Sequence, residues 1–191
     1  IDNSITTELS RTQLLETTNN VELGINGILL VINTLDKGGL HYKQRQHYEE
    51  VVSSLYPAIR NTLAPTVAID IGANYGFTSS IFLQKLGVKQ VVAVEPDATL
   101  HNYIIQNIDK NNHIGANVVV LAAMVGDEVG TRTFGKNPNG SQDNRVIPLP
   151  GWEIIGVQTM RLETVLRQGA KGKPVFIKID TQGFDPIVIE S

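Results

Sequence analysis

The sequence predicts an α/β protein in which a doubly wound, mostly parallel sheet follows a helical N-terminal lead. After Pro65, short apolar runs typical of buried strands alternate with helical stretches, which requires parallel strands with right-handed crossovers. A glycine-rich turn between Asp70 and Phe77 follows the first of these runs, as in folds that bind a nucleotide-like ligand. The composition fits a packed core, because 41% of the 191 residues are hydrophobic and 18% are charged.

Residues 1–64 are expected to form the helical lead, and residues 65–191 the ligand-binding core. Three leucines of the lead fall near helical spacing, namely Leu9, Leu14 and Leu15. Apolar residues recur at three- and four-residue steps over residues 44–63, which predicts one amphipathic helix. Residues 21–35 are compatible with either a buried helix or a strand.

Each core element follows from its own apolar pattern. Four apolar runs predict parallel strands, at residues 67–73, 90–95, 117–125 and 175–180. Stretches with helical spacing lie between them, at residues 78–86, 98–111 and 162–168, the first ended by Gly87. Residues 131–134 and 157–161 alternate like antiparallel strands, with a Gly/Pro/Asn-rich stretch between them at residues 135–151.

Charge and composition exclude several classes of function. The net charge of −3 gives no general attraction to phosphate backbones, so no nucleic-acid partner is expected. The chain has no cysteine, and hence neither a disulfide nor a thiolate nucleophile. The four histidines lack the spacing of metal ligands, and no metal site is predicted from them: His41, His47, His101 and His113.

No membrane association is expected, because the longest apolar run, residues 28–32, is too short to span a bilayer. The polar N-terminus does not have the pattern of a signal peptide, so a cytoplasmic location is the default expectation. The first residue, Ile1, is not a methionine, which suggests a fragment or a processed product.

The glycine-rich turn differs from the turn that binds dinucleotides. Its spacing is Gly-x-x-x-Gly, through Gly72 and Gly76, and Asp70 lies on the strand just before it. A carboxylate at that position would repel a pyrophosphate, but it suits a ligand with an ammonium and a sulfonium group. The turn therefore favours S-adenosylmethionine as the cofactor.

Carboxylates also end two later strands. Glu95 follows Gly76 by 19 residues at the end of the second strand, where its two oxygens can accept both ribose hydroxyls. This placement fits S-adenosylmethionine or a nicotinamide dinucleotide. Asp180 ends the last parallel strand, which in a doubly wound sheet would lie beside the Asp70 strand at the topological switch point.

The run from Lys178 to Asp185 is the second informative segment. Lys178 and Asp180 share one face of the strand, which is compatible with a transfer site or with an ion pair that stabilises the strand end. Gly183 permits a tight turn before a helix with Asp185 as N-cap and Pro186 at its first position.

The Asp-Ile-Gly-Ala-Asn-Tyr-Gly turn, the Val-Glu-Pro strand end and the Lys-Ile-Asp-x-x-Gly-Phe run resemble the FkbM family of S-adenosylmethionine-dependent methyltransferases in order and spacing. The resemblance covers residues 65–191. It implies a class I methyltransferase (Rossmann-like) fold. It also implies methyl transfer to a hydroxyl, often on a sugar or a secondary metabolite, so the expected partner is a small-molecule or saccharide acceptor.

The resemblance also implies a set of site residues. Those expected to bind the cofactor are Asp70, Gly72, Ala73, Asn74, Tyr75, Gly76, Phe77, Glu95, Pro96, Asp97, Ala122, Ala123 and Met124. Lys178 and Asp180 would border the transfer site, with Asp180 as the base or as a ligand of a divalent cation. Residues expected to contact the acceptor are Ser141, Asn144, Gln182 and Gly183.

Two features depart from the family pattern. Gln182 occupies the position where the family usually has glutamate. The chain stops at Ser191, whereas the implied fold would continue with three more strands. The strand at residues 175–179 would then be an exposed apolar edge, which we expect to be covered by further residues or by a second copy in a homo-oligomer.

Two other functions remain open at this point. Glu95 and its spacing also fit a nicotinamide-dependent oxidoreductase, although the chain lacks the Gly-x-Gly-x-x-Gly turn and a Tyr-x-x-x-Lys set. A non-catalytic methyltransferase-like module could use the lead to recruit a partner. The lead could also carry His41 and Tyr42 over the cofactor cleft, while Trp152 is expected to serve packing.

Overall fold

The computed structural model describes residues 19–44, 46–170 and 172–191, with the side chains of residues 46–53 left out. The predictions for Leu9, Leu14, Leu15 and the side chain of His47 lie outside this part of the chain. The described elements are β1 (Asn20–Ile25), β2 (Ile28–Asn33), α1 (Lys37–Gln44), α2 (Gln46–Leu63), β3 (Val67–Ile71), α3 (Phe77–Ile81), β4 (Gln90–Val94), α4 (His101–Asn111), β5 (Asn117–Leu121), β6 (Met124–Val125), β7 (Gly130–Lys136), β8 (Glu153–Met160), α5 (Leu162–Gly169), β9 (Val175–Ile179) and α6 (Asp185–Glu190).

Four parallel strands form the central sheet, in the order β5-β4-β3-β9. The apolar side chains of the central strands β3 and β4 are buried on both faces and those of the edge strands β5 and β9 are partly buried, with α3 and α4 packed on one side and α5 and α6 on the other. The predicted doubly wound α/β sheet is confirmed, and β9 lies beside β3 as expected. From β3 the next two strands, β4 and β5, are added on one side, and the chain then crosses back to place β9 on the other side. The carboxyl ends of β3 and β9 therefore form the topological switch point.

The strand predicted at residues 117–125 is wrong in its second half. The chain leaves the central sheet after Leu121, where the N–H of Ala123 turns back to donate to the Leu121 carbonyl at 3.0 Å. Met124 and Val125 then pair with β8 in a second sheet of order β6-β8-β7. The two predicted antiparallel strands are present as β7 and β8.

The ambiguous part of the lead is a β-hairpin. Strands β1 and β2 are joined by Asn26 and Gly27, both with positive φ (51° and 83°), as a two-residue type I′ turn requires. The apolar and polar residues of β2 do not alternate as in a half-buried strand, because three consecutive residues, Leu30, Val31 and Ile32, are all fully buried. The predicted amphipathic helix corresponds to α2, and α1 precedes it.

The free edge of β2 is held by two asparagine side chains of α4. The Asn107 amide accepts from the N–H of Val31 at 2.6 Å and donates to its carbonyl at 2.9 Å. The Asn111 amide makes the same pair of bonds to Leu29, at 3.0 and 2.7 Å. The hairpin is therefore joined to the core by hydrogen bonds from side chains to its backbone as well as by apolar packing.

Two core helices differ in detail from their predictions. The helix at residues 78–86 continues α3 as a π-helical turn over Phe82–Leu86 and ends at Gly87, whose φ is 64°. Asp185 is not an N-cap: Phe184 holds that position, and Asp185 Oδ1 instead accepts from the N–H and hydroxyl of Thr181, both at 2.7 Å. None of the described helices is long and apolar enough to cross a membrane.

Candidate functional site

A cleft of about 890 Å³, including its mouth open to solvent, lies over the carboxyl ends of β3, β4 and β9. The glycine turn after β3 and the end of β9 form its floor. Tyr42 of α1 and the polar loop (residues 137–145) form its roof. The cleft thus occupies the switch point of the sheet, where open α/β folds bind their ligands.

The structure brings most of the predicted site residues together in this cleft. Those that line it are Gly72, Ala73, Asn74, Glu95, Pro96, Ala123, Met124, Ser141, Asn144, Lys178, Asp180 and Gln182. The predicted residues that do not line it are Asp70, Tyr75, Gly76, Phe77, Asp97, Ala122 and Gly183. Tyr75 and Phe77 are buried behind the turn, at 1% and 0% exposure.

The acids at the ends of β3 and β9 converge on the ammonium of Lys178. Its Nζ lies 3.1 Å from Asp70 Oδ1 and 3.8 Å from Asp180 Oδ2, and donates to the Gly72 carbonyl at 3.0 Å. Burial disfavours this charge, but the carboxylates of Asp70 and Asp180 outweigh it and raise the pKa of Lys178.

Asp70 is fully buried and also accepts from the Ser79 hydroxyl at 2.7 Å. It therefore acts on the cleft through Lys178 and does not face the cleft itself. The strand register explains this placement, since Asp70 is directly opposite Lys178 on neighbouring strands.

Gly72 allows the turn to approach the end of β9. Its φ is 80°, and a Cβ atom there would lie 2.1 Å from the carbonyl oxygen of Asp180. No side chain fits that space, so glycine is required both by conformation and by contact.

Glu95 is a buried carboxylate that reaches the cleft. It is 5% exposed, and its oxygens accept from the backbone N–H of Asn74 and of Asp97, each at 2.9 Å. Burial raises the pKa of Glu95 to about 7, although the two N–H donors oppose the shift. The group consequently titrates near neutral pH while keeping free lone pairs for further donors.

Asp97 anchors the polar loop from below. Its Oδ1 lies 3.0 Å from Lys136 Nζ and accepts from the N–H and hydroxyl of Thr99, while Oδ2 accepts from the Asn144 amide at 3.2 Å. Its neighbour His101 places Nε2 2.7 Å from the Glu95 carbonyl. Both residues support the site without lining it.

The roof contains residues that the sequence indicated only weakly or not at all. The Tyr42 hydroxyl donates to Asn74 Oδ1 at 3.1 Å, whereas His41 beside it does not line the cleft. Lining residues missed by the sequence reasoning include Thr78, Phe134, Gln142, Val146 and Phe184. The positions of Phe134, Gln142 and Val146 depend on how the β7–β8 hairpin folds back over the sheet, which no local pattern encodes.

The described residues, 19–44, 46–170 and 172–191, contain no group of three or more His, Cys, Asp or Glu that could hold a metal ion. The carboxylate of Asp180 instead has a protein cation beside it, Lys178.

Comparison with known proteins agrees with this architecture. Residues 70–191 match the family model described as the methyltransferase FkbM domain. No curated protein sequence shows a significant match to the chain.

Three solved structures are among those similar to the chain. A SAM-dependent methyltransferase from Agrobacterium tumefaciens has a TM-score of 0.43 and 14% identity over 56% of this chain and 33% of its own. M. jannaschii TYW2 in complex with AdoMet has a TM-score of 0.41 and 14% identity over 60% of this chain and 53% of its own. The putative transferase PH0793 from Pyrococcus horikoshii has a TM-score of 0.38 and 13% identity over 60% of this chain and 45% of its own. The chain thus spans between a third and about half of these structures. Since the family model covers well over half of its residues, this protein belongs to the FkbM family of S-adenosylmethionine-dependent methyltransferases.

Proposed function

We propose that this protein transfers a methyl group from S-adenosylmethionine to a hydroxyl of a small molecule, a sugar or a secondary metabolite. The observation that carries the proposal is the meeting of Gly72, Glu95 and Asp180 in one cleft at the switch point. A tight backbone turn, a buried carboxylate and a more exposed carboxylate there match the three needs of the reaction: donor seating, ribose recognition and proton removal.

The residues present fit the donor. The backbone of residues 72–74, which lines the cleft, would seat its amino-acid part. Glu95 would accept the ribose hydroxyls with the lone pairs that Asn74 and Asp97 leave free. Pro96, Ala123 and Met124 would offer apolar surface to the adenine.

The bound donor supplies a methyl carbon carried on a sulfonium, and the protein has to align an acceptor oxygen with it. The oxygen–carbon bond forms as the sulfur–carbon bond breaks, and the hydroxyl proton leaves. Asp180 is the proton acceptor in this proposal, because its side chain is 52% exposed and borders the cleft. The ammonium of Lys178, 3.8 Å from Asp180 Oδ2, would orient that carboxylate.

Calorimetric titration with S-adenosylmethionine, S-adenosylhomocysteine and NAD tests the proposal. We expect the first two to bind and NAD to give no heat. Binding of NAD without binding of S-adenosylmethionine would overturn the proposal in favour of a nicotinamide enzyme.

We expect Asp180→Ala to bind S-adenosylmethionine nearly as well as the wild type and to lose methyl transfer by at least about 100-fold. Release of S-adenosylhomocysteine is measured with pooled glycosides and hydroxylated polyketides as acceptors. Glu190→Ala, which removes an exposed acid of α6, serves as the control and keeps full activity. Unchanged turnover in Asp180→Ala would remove Asp180 from the mechanism.

The buried carboxylate of Glu95 makes donor binding depend on pH. Its pKa of about 7 in the free protein means that protonation competes with ribose binding below neutrality. We expect the dissociation constant to fall as pH rises from 6 to 8, by up to about tenfold per pH unit below 7. Titrations at several pH values measure this. Glu95→Gln, which leaves the ionisable groups of the donor unchanged, should bind the donor more weakly and with a dissociation constant that depends less on pH.

The same group affects stability in the opposite direction. Because the folded-state pKa exceeds the ordinary value of 4.5, the stability that protonated Glu95 contributes is present below pH 4.5 and is lost as pH rises through 7. A melting temperature that is equally pH-dependent in wild type and Glu95→Gln would contradict this assignment.

A further inference from the structure

Asp36 lies outside the cleft but is bonded to its roof. It follows β2 in the lead, and its carboxylate accepts four hydrogen bonds. Oδ1 accepts from the N–H of Gly38 at 2.8 Å and of Ser141 at 2.9 Å. Oδ2 accepts from the hydroxyls of Ser141 and of Tyr75, the latter at 2.9 Å. All four donors are neutral, and together they fill the acceptor capacity of an ionised carboxylate.

The backbones of the lead and the polar loop touch at this point. A Cβ atom on Gly38 would lie 2.8 Å from the N of Ser141, and one on Gly140 would lie 2.8 Å from the N of Gly38. Glycine at both positions therefore lets the two segments meet without a gap. We refer to Asp36, Gly38, Gly140 and Ser141 as the roof joint.

Hydrogen bonds lead from the roof joint into the cleft. The Ser141 hydroxyl accepts from the side-chain amide of Asn74 at 3.1 Å, and Oδ1 of the same side chain accepts from the Tyr42 hydroxyl at 3.1 Å. The backbone N–H of Asn74 donates to Glu95. Ser141, Asn74, Tyr42 and Glu95 all line the cleft, so a continuous chain of hydrogen bonds joins these four residues to a carboxylate that does not line it.

We propose that Asp36 is a positioning residue that holds the polar loop and Tyr42 closed over the bound methyl donor and thereby sets the rate of donor release. The inference rests on the proposed function, because it assumes that the cleft holds the donor. The buried hydroxyl of Tyr75 donates to the same carboxylate. Burial and the neighbouring Asp36 raise the pKa of Tyr75, so its hydroxyl remains a donor.

Asp36→Asn tests the inference, because an amide of the same shape can no longer accept hydrogen bonds at its nitrogen. Stopped-flow release of S-adenosylhomocysteine, followed by the fluorescence of the single tryptophan, Trp152, should be roughly 10- to 100-fold faster than in the wild type. Tryptic cleavage after Lys136, which precedes the loop, and after Arg145, its last residue, should also accelerate. Asp143→Asn changes an acid of the same loop whose carboxylate contacts Asn137 instead, and should leave both rates unchanged.

Gly140→Ala opens the roof joint from the loop side without removing a hydrogen-bonding group, and should show both effects if Asp36→Asn fails to fold. Tyr75→Phe removes only the buried donor and should keep the loop closed. The double variant Asp36→Asn/Ser141→Ala should release S-adenosylhomocysteine less rapidly than the product of the two single effects predicts, because the two residues share the bond between the Ser141 hydroxyl and the Asp36 carboxylate.

Wild-type release and cleavage rates in Asp36→Asn or in folded Gly140→Ala would overturn the inference. Failure of the wild type to bind S-adenosylmethionine would instead sink the proposed function and, with it, the claim on donor release. The cleavage rates separate that case, since they report on the loop with no ligand present.

Discussion

Gly72→Ala is expected to lower the free energy of unfolding by about 3–5 kcal/mol and to abolish donor binding. The alanine Cβ would lie 2.1 Å from the Asp180 carbonyl oxygen, and a φ of 80° is itself strained for any residue with a side chain. The turn would have to move away from β9 and carry Asn74 and the Glu95 contact with it. Urea denaturation and calorimetric titration measure the two effects.

Gly115→Ala is the matched control. Its φ of 66° is also positive, but no atom lies within 4 Å of the added carbon, so only the conformational strain remains. We expect a loss of about 1 kcal/mol and unchanged binding. Equal losses in the two variants would show that the close approach of the turn to β9 is not as described.

Asn107→Ala is the second substitution with a large expected effect, about 4 kcal/mol of unfolding free energy. The Asn107 side chain is fully buried and bonds both polar backbone groups of Val31 as well as the Tyr75 carbonyl at 2.9 Å. Truncation leaves these three groups without partners in a space closed to solvent. Chemical denaturation monitored by circular dichroism gives the value.

Asn102→Ala on the exposed side of the same helix controls for the loss of an asparagine from α4 and should cost less than about 0.5 kcal/mol. Asn107→Asp keeps one acceptor but loses both donated bonds and buries a charge, so it should be at least as harmful as the alanine variant. A stable Asn107→Ala protein would mean that the Asn107 bonds contribute little and that apolar packing and the Asn111 bonds to Leu29 hold the hairpin.

The sequence was sufficient for the parallel sheet and for the carboxylates at its edge. Strand ends are local properties, because an apolar run followed by a polar residue and a glycine marks them directly, as at Gly72, Glu95 and Asp180. The place of β9 beside β3 was expected from the strand order of a doubly wound sheet. These elements carry most of the cleft floor.

The cleft roof and the direction of Asp70 could not be predicted. Asp36 and Ser141 are 105 residues apart, and only the folded lead brings them together. Asp70 was expected to face the ligand, but its buried carboxylate forms an ion pair with Lys178, its neighbour on β9. The lead hairpin did carry a signal, since Asn26-Gly27 between apolar runs is typical of a type I′ turn.

The amides that bind β2 also affect how separate molecules behave toward one another. An unpaired strand margin offers its N–H and carbonyl groups to any other extended chain, and apolar strands such as this one are prone to such pairing. Here Asn107 and Asn111 occupy those groups at Leu29 and Val31, every second residue along the margin. Two side chains of one helix thus do what a further strand would do, and they keep this side of the hairpin from templating aggregation.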